Sequence, residues 1–88
     1  MAKQPRDGNQ SVAGIPWLAR MIDKARLEAA GEIEPFDLDY PCPMDRSLLA
    51  KLGIDGKAFQ QIAVANESDE GIVTALEAAG VKLEAAKI

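Results

Sequence analysis

Two short stretches hold the residues whose types and spacing could do chemistry. Arg20, Asp23, Lys24 and Arg26 crowd a turn and a half of one expected helix, and Tyr40, Cys42, Asp45 and Arg46 lie in a proline-rich segment further along. Arginines oriented by a carboxylate make a clamp for phosphate or another small anion. Arg20 and Asp23, like Asp23 and Arg26, are three residues apart and can also pair within a helix. The competing expectation is a structural network in which Arg20 or Arg26 holds Asp39 or Asp45 across the fold. Cys42, between Pro41 and Pro43, is a candidate nucleophile or redox thiol, helped by Arg46 and by the start of a helix. Its plainer role is that of a small buried apolar residue. Asp37, Asp39 and Asp45, near Tyr40, offer oxygen atoms to a hard cation, but without the spacing of a calcium loop. The expectation is therefore no metal, no cofactor and no catalytic residue.

Composition narrows the options further. The 88 residues include no histidine, which removes the commonest general base and any Ser-His or Cys-His pair. One cysteine permits no internal disulfide, and nothing resembles a secretory signal. No apolar run approaches the roughly 20 residues that span a bilayer, so a cytoplasmic location away from membranes is expected. A net charge of −4 argues against generic nucleic-acid binding. The charge is unevenly spread: residues 1–26 carry five basic side chains against two acidic, whereas Glu28 to Asp45 contains six acids and no base. The basic first helix and the acidic segment after it should attract each other.

The elements that must position these residues are helices. Apolar content of 48% with few aromatics favours a small helical core. Residues 1–14 read as a flexible leader, ordered only if something holds them down, and residues 15–88 as a single helical domain. The first helix is expected over Ile15–Ala30, with Pro16 in its first turn and Gly31 just past its end. Trp17, Leu18, Met21, Ile22, Ala25 and Ala29 fall on its inner face, with Leu27 roughly opposite. Pro35, Pro41 and Pro43 make Glu32–Met44 a long loop of extended coil. Asp45 should cap a second helix, Arg46–Leu52, ended by Gly53. Asp55 should cap a third, Gly56–Asn66, with Ile54 and Phe59 as a hydrophobic staple. Ser68 should cap a fourth ended by Gly80, with Val81 folding back over its end. Residues 82–88 read as a last frayed turn. The fold class that follows is all-α: a bundle of about four helices, the first longest, with helices two to four neighbours in space.

Several of these segments resemble one known family. Arg20-Met21-Ile22-Asp23-Lys24-Ala25-Arg26 is similar to an R-M-I-D-K-A-R signature. It is followed by Gly31, then by Tyr40-Pro41-Cys42-Pro43-Met44-Asp45, and then by Lys51-Leu52-Gly53-Ile54-Asp55. Ser68-Asp69-Glu70 resembles that family's last helix start. The family comprises small bacterial proteins catalogued only as a domain of unknown function. The likeness covers about Ile15–Leu76 and departs around Leu52 and after Gly80. It implies a shared helical fold and polar cluster, and no activity. The functional expectation is a non-enzymatic module that binds a protein partner or itself through the first helix and the loop. The alternative is a small-anion or enzymatic site built from Arg20, Asp23, Lys24, Arg26, Tyr40, Cys42, Asp45 and Arg46.

Overall fold

The computed structural model describes residues 5–33, 40–81 and 83. Its elements are β1 (Ser11–Val12), β2 (Ile15–Pro16), α1 (Leu18–Ala29), α2 (Pro43–Leu52), α3 (Gly56–Ala65) and α4 (Asp69–Ala78). The fold is thus mostly helical: the described residues form four helices around one core, of which α1 is the longest at 12 residues against 10 for each of the others.

A small antiparallel hairpin corrects the purely helical expectation. Val12 pairs with Ile15 and Ser11 with Pro16. Ala13 and Gly14 between them both have positive φ, 55° and 77°. Two left-handed residues in a two-residue loop make the turn whose twist suits a tight hairpin. Pro16 therefore belongs to a strand and not to the first turn of α1, which starts at Leu18. Trp17 sits at the junction with φ 75°, a conformation that a bulky side chain rarely adopts. Its N–H bonds Gly8 O at 3.1 Å.

Residues from Pro5 onward, expected to be free unless held, are held. Arg6 bonds two helices, and Val12 and Ile15 enter the core. Gly8 lies flat against the Trp17 ring, so close that an added Cβ would fall 2.5 Å from Cε3.

The core is built from Ile15, Leu18, Met21, Ile22, Phe59, Ile72 and Leu76, each with no exposed surface. Burying a side chain of this size contributes about 1.5–3 kcal/mol. α1 packs most extensively on α3, and α3 on α4, so the strongest contact skips α2 in the chain order. The hairpin covers a second side of α1. Leu27 is buried although the periodicity points it outward, so the buried face of α1 is wider than the expected one. Ala29, expected inward, is exposed at the helix end.

The helix boundaries follow local chemistry. Gly31, Gly53 and Gly80 all adopt positive φ just after a helix. Glu32 N–H returns to Leu27 O at 2.8 Å and Val81 N–H to Leu76 O at 3.0 Å, closing the last carbonyls of α1 and α4. Asp55 Oδ1 accepts from Ala58 N–H at 2.7 Å, and Ser68 Oγ accepts from Gly71 N–H at 3.0 Å. The start of α2 differs from expectation: Cys42 is its N-cap and Pro43 its first residue, which places Asp45 inside the first turn. Leu83 is buried on the core. The loop expectations at Pro35, Phe36, Asp37, Leu38 and Asp39 lie outside the described residues, as do those for 82 and 84–88.

Gly8→Ala should destabilise the protein by about 1–3 kcal/mol, because the new methyl forces the Trp17 ring or the leader backbone to move. Urea unfolding followed by Trp17 fluorescence checks this, and a midpoint equal to wild type would contradict it.

Candidate functional site

Lys24 and Asp45 form the centre of the polar cluster. As consecutive residues of α1, Asp23 and Lys24 point to different sides of the helix, about 100° apart. The side that Lys24 takes faces the start of α2, where the Cys42 cap turns Asp45 back toward α1. Lys24 Nζ lies 2.8 Å from Asp45 Oδ2, with the two side chains 2% and 0% exposed. The carboxylate is fully used. Trp17 Nε1 donates to Oδ1 at 2.7 Å, and Cys42 N–H donates to Oδ2 at 3.0 Å. This last bond is the acidic half of a capping box. Lys24 Nζ also contacts Cys42 Sγ at 3.1 Å and lies 5.9 Å from the centroid of the Trp17 ring. Among the described residues, no buried side-chain nitrogen or oxygen lacks a partner.

A second cluster ties the leader to two helices. Arg6 Nε and its backbone N–H each donate to Asp23 Oδ2 at 2.9 Å. Its terminal nitrogens reach Asp69 at 2.7 and 3.0 Å. The planar fork suits such two-pronged pairing with carboxylates. The bonds from Asp69, then from Asp23, hold the Arg6 guanidinium above its ordinary pKa. In return the Arg6 hydrogen bonds hold the Asp69 carboxyl below the usual aspartate value.

The other candidates serve different contacts. Arg26 gives its Nε–H to Ala63 O at 3.1 Å and an Nη–H to Asn66 O at 2.7 Å, so it supplies donors to the C-terminal carbonyls of α3. It also stands 4.0 Å from Asp23, the within-helix pairing that the spacing allows. Arg20 donates to Arg6 O at 3.1 Å and lies over the Trp17 ring at 5.6 Å. Tyr40 donates its hydroxyl to Gly56 O at 2.6 Å. Burial first, and then the charges of Asp45, Asp55 and Glu28, push this phenol above its ordinary pKa. Arg46 is exposed on the first turn of α2. Cys42 is half-buried and free.

The structure thus brings Lys24, Cys42 and Asp45 together and adds Trp17, which sequence reasoning assigns to the core alone. It places Arg20 and Asp23 with Arg6, a residue of the leader that sequence reasoning does not single out. The cross-fold contact to Asp45 is made by Lys24 and not by Arg20 or Arg26. Asp39 lies outside the described residues. No motif spacing marks Arg6 or Asp69 as partners, since they are 63 positions apart.

These features define a small, mostly helical protein whose charged residues fasten its own elements together. The chain belongs to the family described as Domain of unknown function (DUF5069), whose model matches residues 2–88. No curated protein matches it. Among the described residues, no helix is long and apolar enough to cross a membrane.

Two outcomes follow. Asp45→Ala strands a buried ammonium and two N–H donors, and should cost about 3–5 kcal/mol in urea unfolding. Lys24→Met should cost less, because Asp45 keeps the Trp17 and Cys42 donors; the reverse order would show that the ammonium matters more than the carboxylate. The second concerns pH. Because the folded Asp69 is held below its ordinary value, its contribution is complete above the unfolded pKa of about 3.9 and fades as pH falls through the folded value. Melting curves taken downward from neutral pH should show wild type above Asp69→Asn at pH 7, with the two converging below about pH 4.

Proposed function

We propose that the protein is a non-enzymatic interaction module whose docking surface is an apolar groove between α3 and the end of α4. The carrying observation is the groove itself, of about 530 Å³, lined by Ile54, Ala58, Ile62, Ala65, Ala79 and Val81, with Gln61 and Asn66 as polar members. Small alanines leave room for the larger apolar side chains of a partner, as in a groove that receives an amphipathic helix. Val64, also on α3, is 58% exposed.

What supports this reading over a small-anion site is how Arg6 and Arg26 are already engaged. Arg6 is committed to two carboxylates and Arg26 to two carbonyls. An anion would have to displace these bonds. On this reading Arg20, Asp23, Lys24, Arg26, Tyr40 and Asp45 act in the fold, and the partner surface lies elsewhere than on the charged side of α1.

Ala65→Arg and Ala79→Arg place charge in the groove at exposed positions and should leave the melting temperature within a few degrees of wild type. Light scattering and affinity capture then compare the three proteins. A partner or self-association present in wild type and lost in both variants supports the proposal. Wild type that stays monomeric, with a capture profile equal to that of the variants, refutes it.

A further inference from the structure

The Cys42–Lys24 contact has chemistry that the proposed docking role does not use. Cys42 is the only cysteine, so its oxidation cannot end in a disulfide within the chain. It is half-buried, open enough for a small oxidant. The usual local alternative is capture of an oxidised sulfur by the nitrogen of the next peptide unit, giving a cyclic sulfenamide. Here that residue is Pro43, whose nitrogen carries no hydrogen to lose. Besides the Asp45 backbone N–H of the capping box, an amide of low nucleophilicity, the nitrogen at hand is the amine of Lys24, with Nζ 3.1 Å from Sγ on a side chain only 2% exposed. Asp45 Oδ2, 2.8 Å from the same nitrogen, is placed to take its proton.

We infer that Cys42 and Lys24 form a peroxide-driven covalent bridge that joins α1 to the start of α2. Hydrogen peroxide first oxidises the thiol. A sulfur–oxygen bond forms, the O–O bond breaks, water leaves, and the product is a sulfenic acid. The Lys24 ammonium then passes one proton to Asp45, and the freed amine attacks the sulfur. The nitrogen–sulfur bond forms as the sulfur–oxygen bond breaks. The departing hydroxide takes a proton from the nitrogen and leaves as a second water. Sulfur loses two electrons overall and peroxide gains them, and one peroxide is consumed per bridge. The bridge replaces an ion pair with a covalent link and leaves Asp45 with its Trp17 and Cys42 donors. Thiols reverse it by attack on sulfur, which releases the amine.

The test is intact-mass and peptide-mapping spectrometry of the whole protein, kept dilute and treated with equimolar hydrogen peroxide. The expected product is lighter than the untreated chain by a pair of hydrogens, and protease digestion joins the peptides carrying Lys24 and Cys42. Dithiothreitol should restore the starting mass. Lys24→Arg keeps the charge and lacks a primary amine, so it should stop at the sulfenic acid or at higher oxides. If that variant fails to fold, mapping of the wild-type product alone decides the question. A wild-type product that carries only added oxygen on Cys42, or only a disulfide-linked dimer, overturns the inference.

Discussion

The buried ion pair between Lys24 and Asp45 is the constraint on which the arrangement of α1, α2 and the Trp17 junction depends. Removing two charges from water costs several kcal/mol per ion after relaxation. The cost is offset only when geometry is good and the remaining lone pairs and protons find partners. Here one carboxylate receives the ammonium, the indole N–H and the Cys42 N–H. The position of Asp45 therefore fixes three things at once: the register of α1, the first turn of α2, and the orientation of the Trp17 ring. Trp17 holds a left-handed backbone conformation, a strain of order 1–3 kcal/mol. The bonds of its indole and its backbone N–H help to hold it there.

Charge elsewhere in the molecule works in the same manner, at lower burial. Arg6 reaches across from the leader to α1 and α4, and Arg26 reaches from α1 to the end of α3. These contacts are only part-buried, so solvent screens the charges and each is worth little by itself. Their effect lies in joining elements that are far apart in the chain, so that the leader, α1, α3 and α4 share one polar frame. A protein with a thin core gains from such fastening. It also follows that the densest cluster of functional residue types turns inward, while a groove with mostly apolar lining lies between α3 and the end of α4.

Much of the helical framework was legible in the chain alone. Asp55 and Ser68 cap where their types and the apolar runs behind them require, and Gly31, Gly53 and Gly80 end helices because a left-handed residue is needed there. These are signals that span a handful of residues, and they survive without tertiary context. The start of α2 lies earlier than the sequence predicts because cysteine is an uncommon N-cap, and Asp45, a better one, draws the expected boundary to itself. The hairpin leaves little trace in the sequence because each strand is two residues long and Ala-Gly is a weaker turn signal than Asn-Gly.

The four helices among the described residues and their order were set by local pattern: capping chemistry, helical period and glycine stops. Which charges meet was decided only by the tertiary structure. Lys24 and Asp45 lie 21 positions apart, Trp17 and Asp45 lie 28 apart, and Arg6 and Asp69 lie 63 apart. No periodicity within one helix selects among several acids and bases over such separations. The choice falls to how α1 is enclosed between α3, the hairpin and the start of α2. That enclosure turns Lys24 inward although a helical wheel assigns a lysine to solvent, and the desolvated ammonium then donates to the carboxylate of Asp45 held within reach.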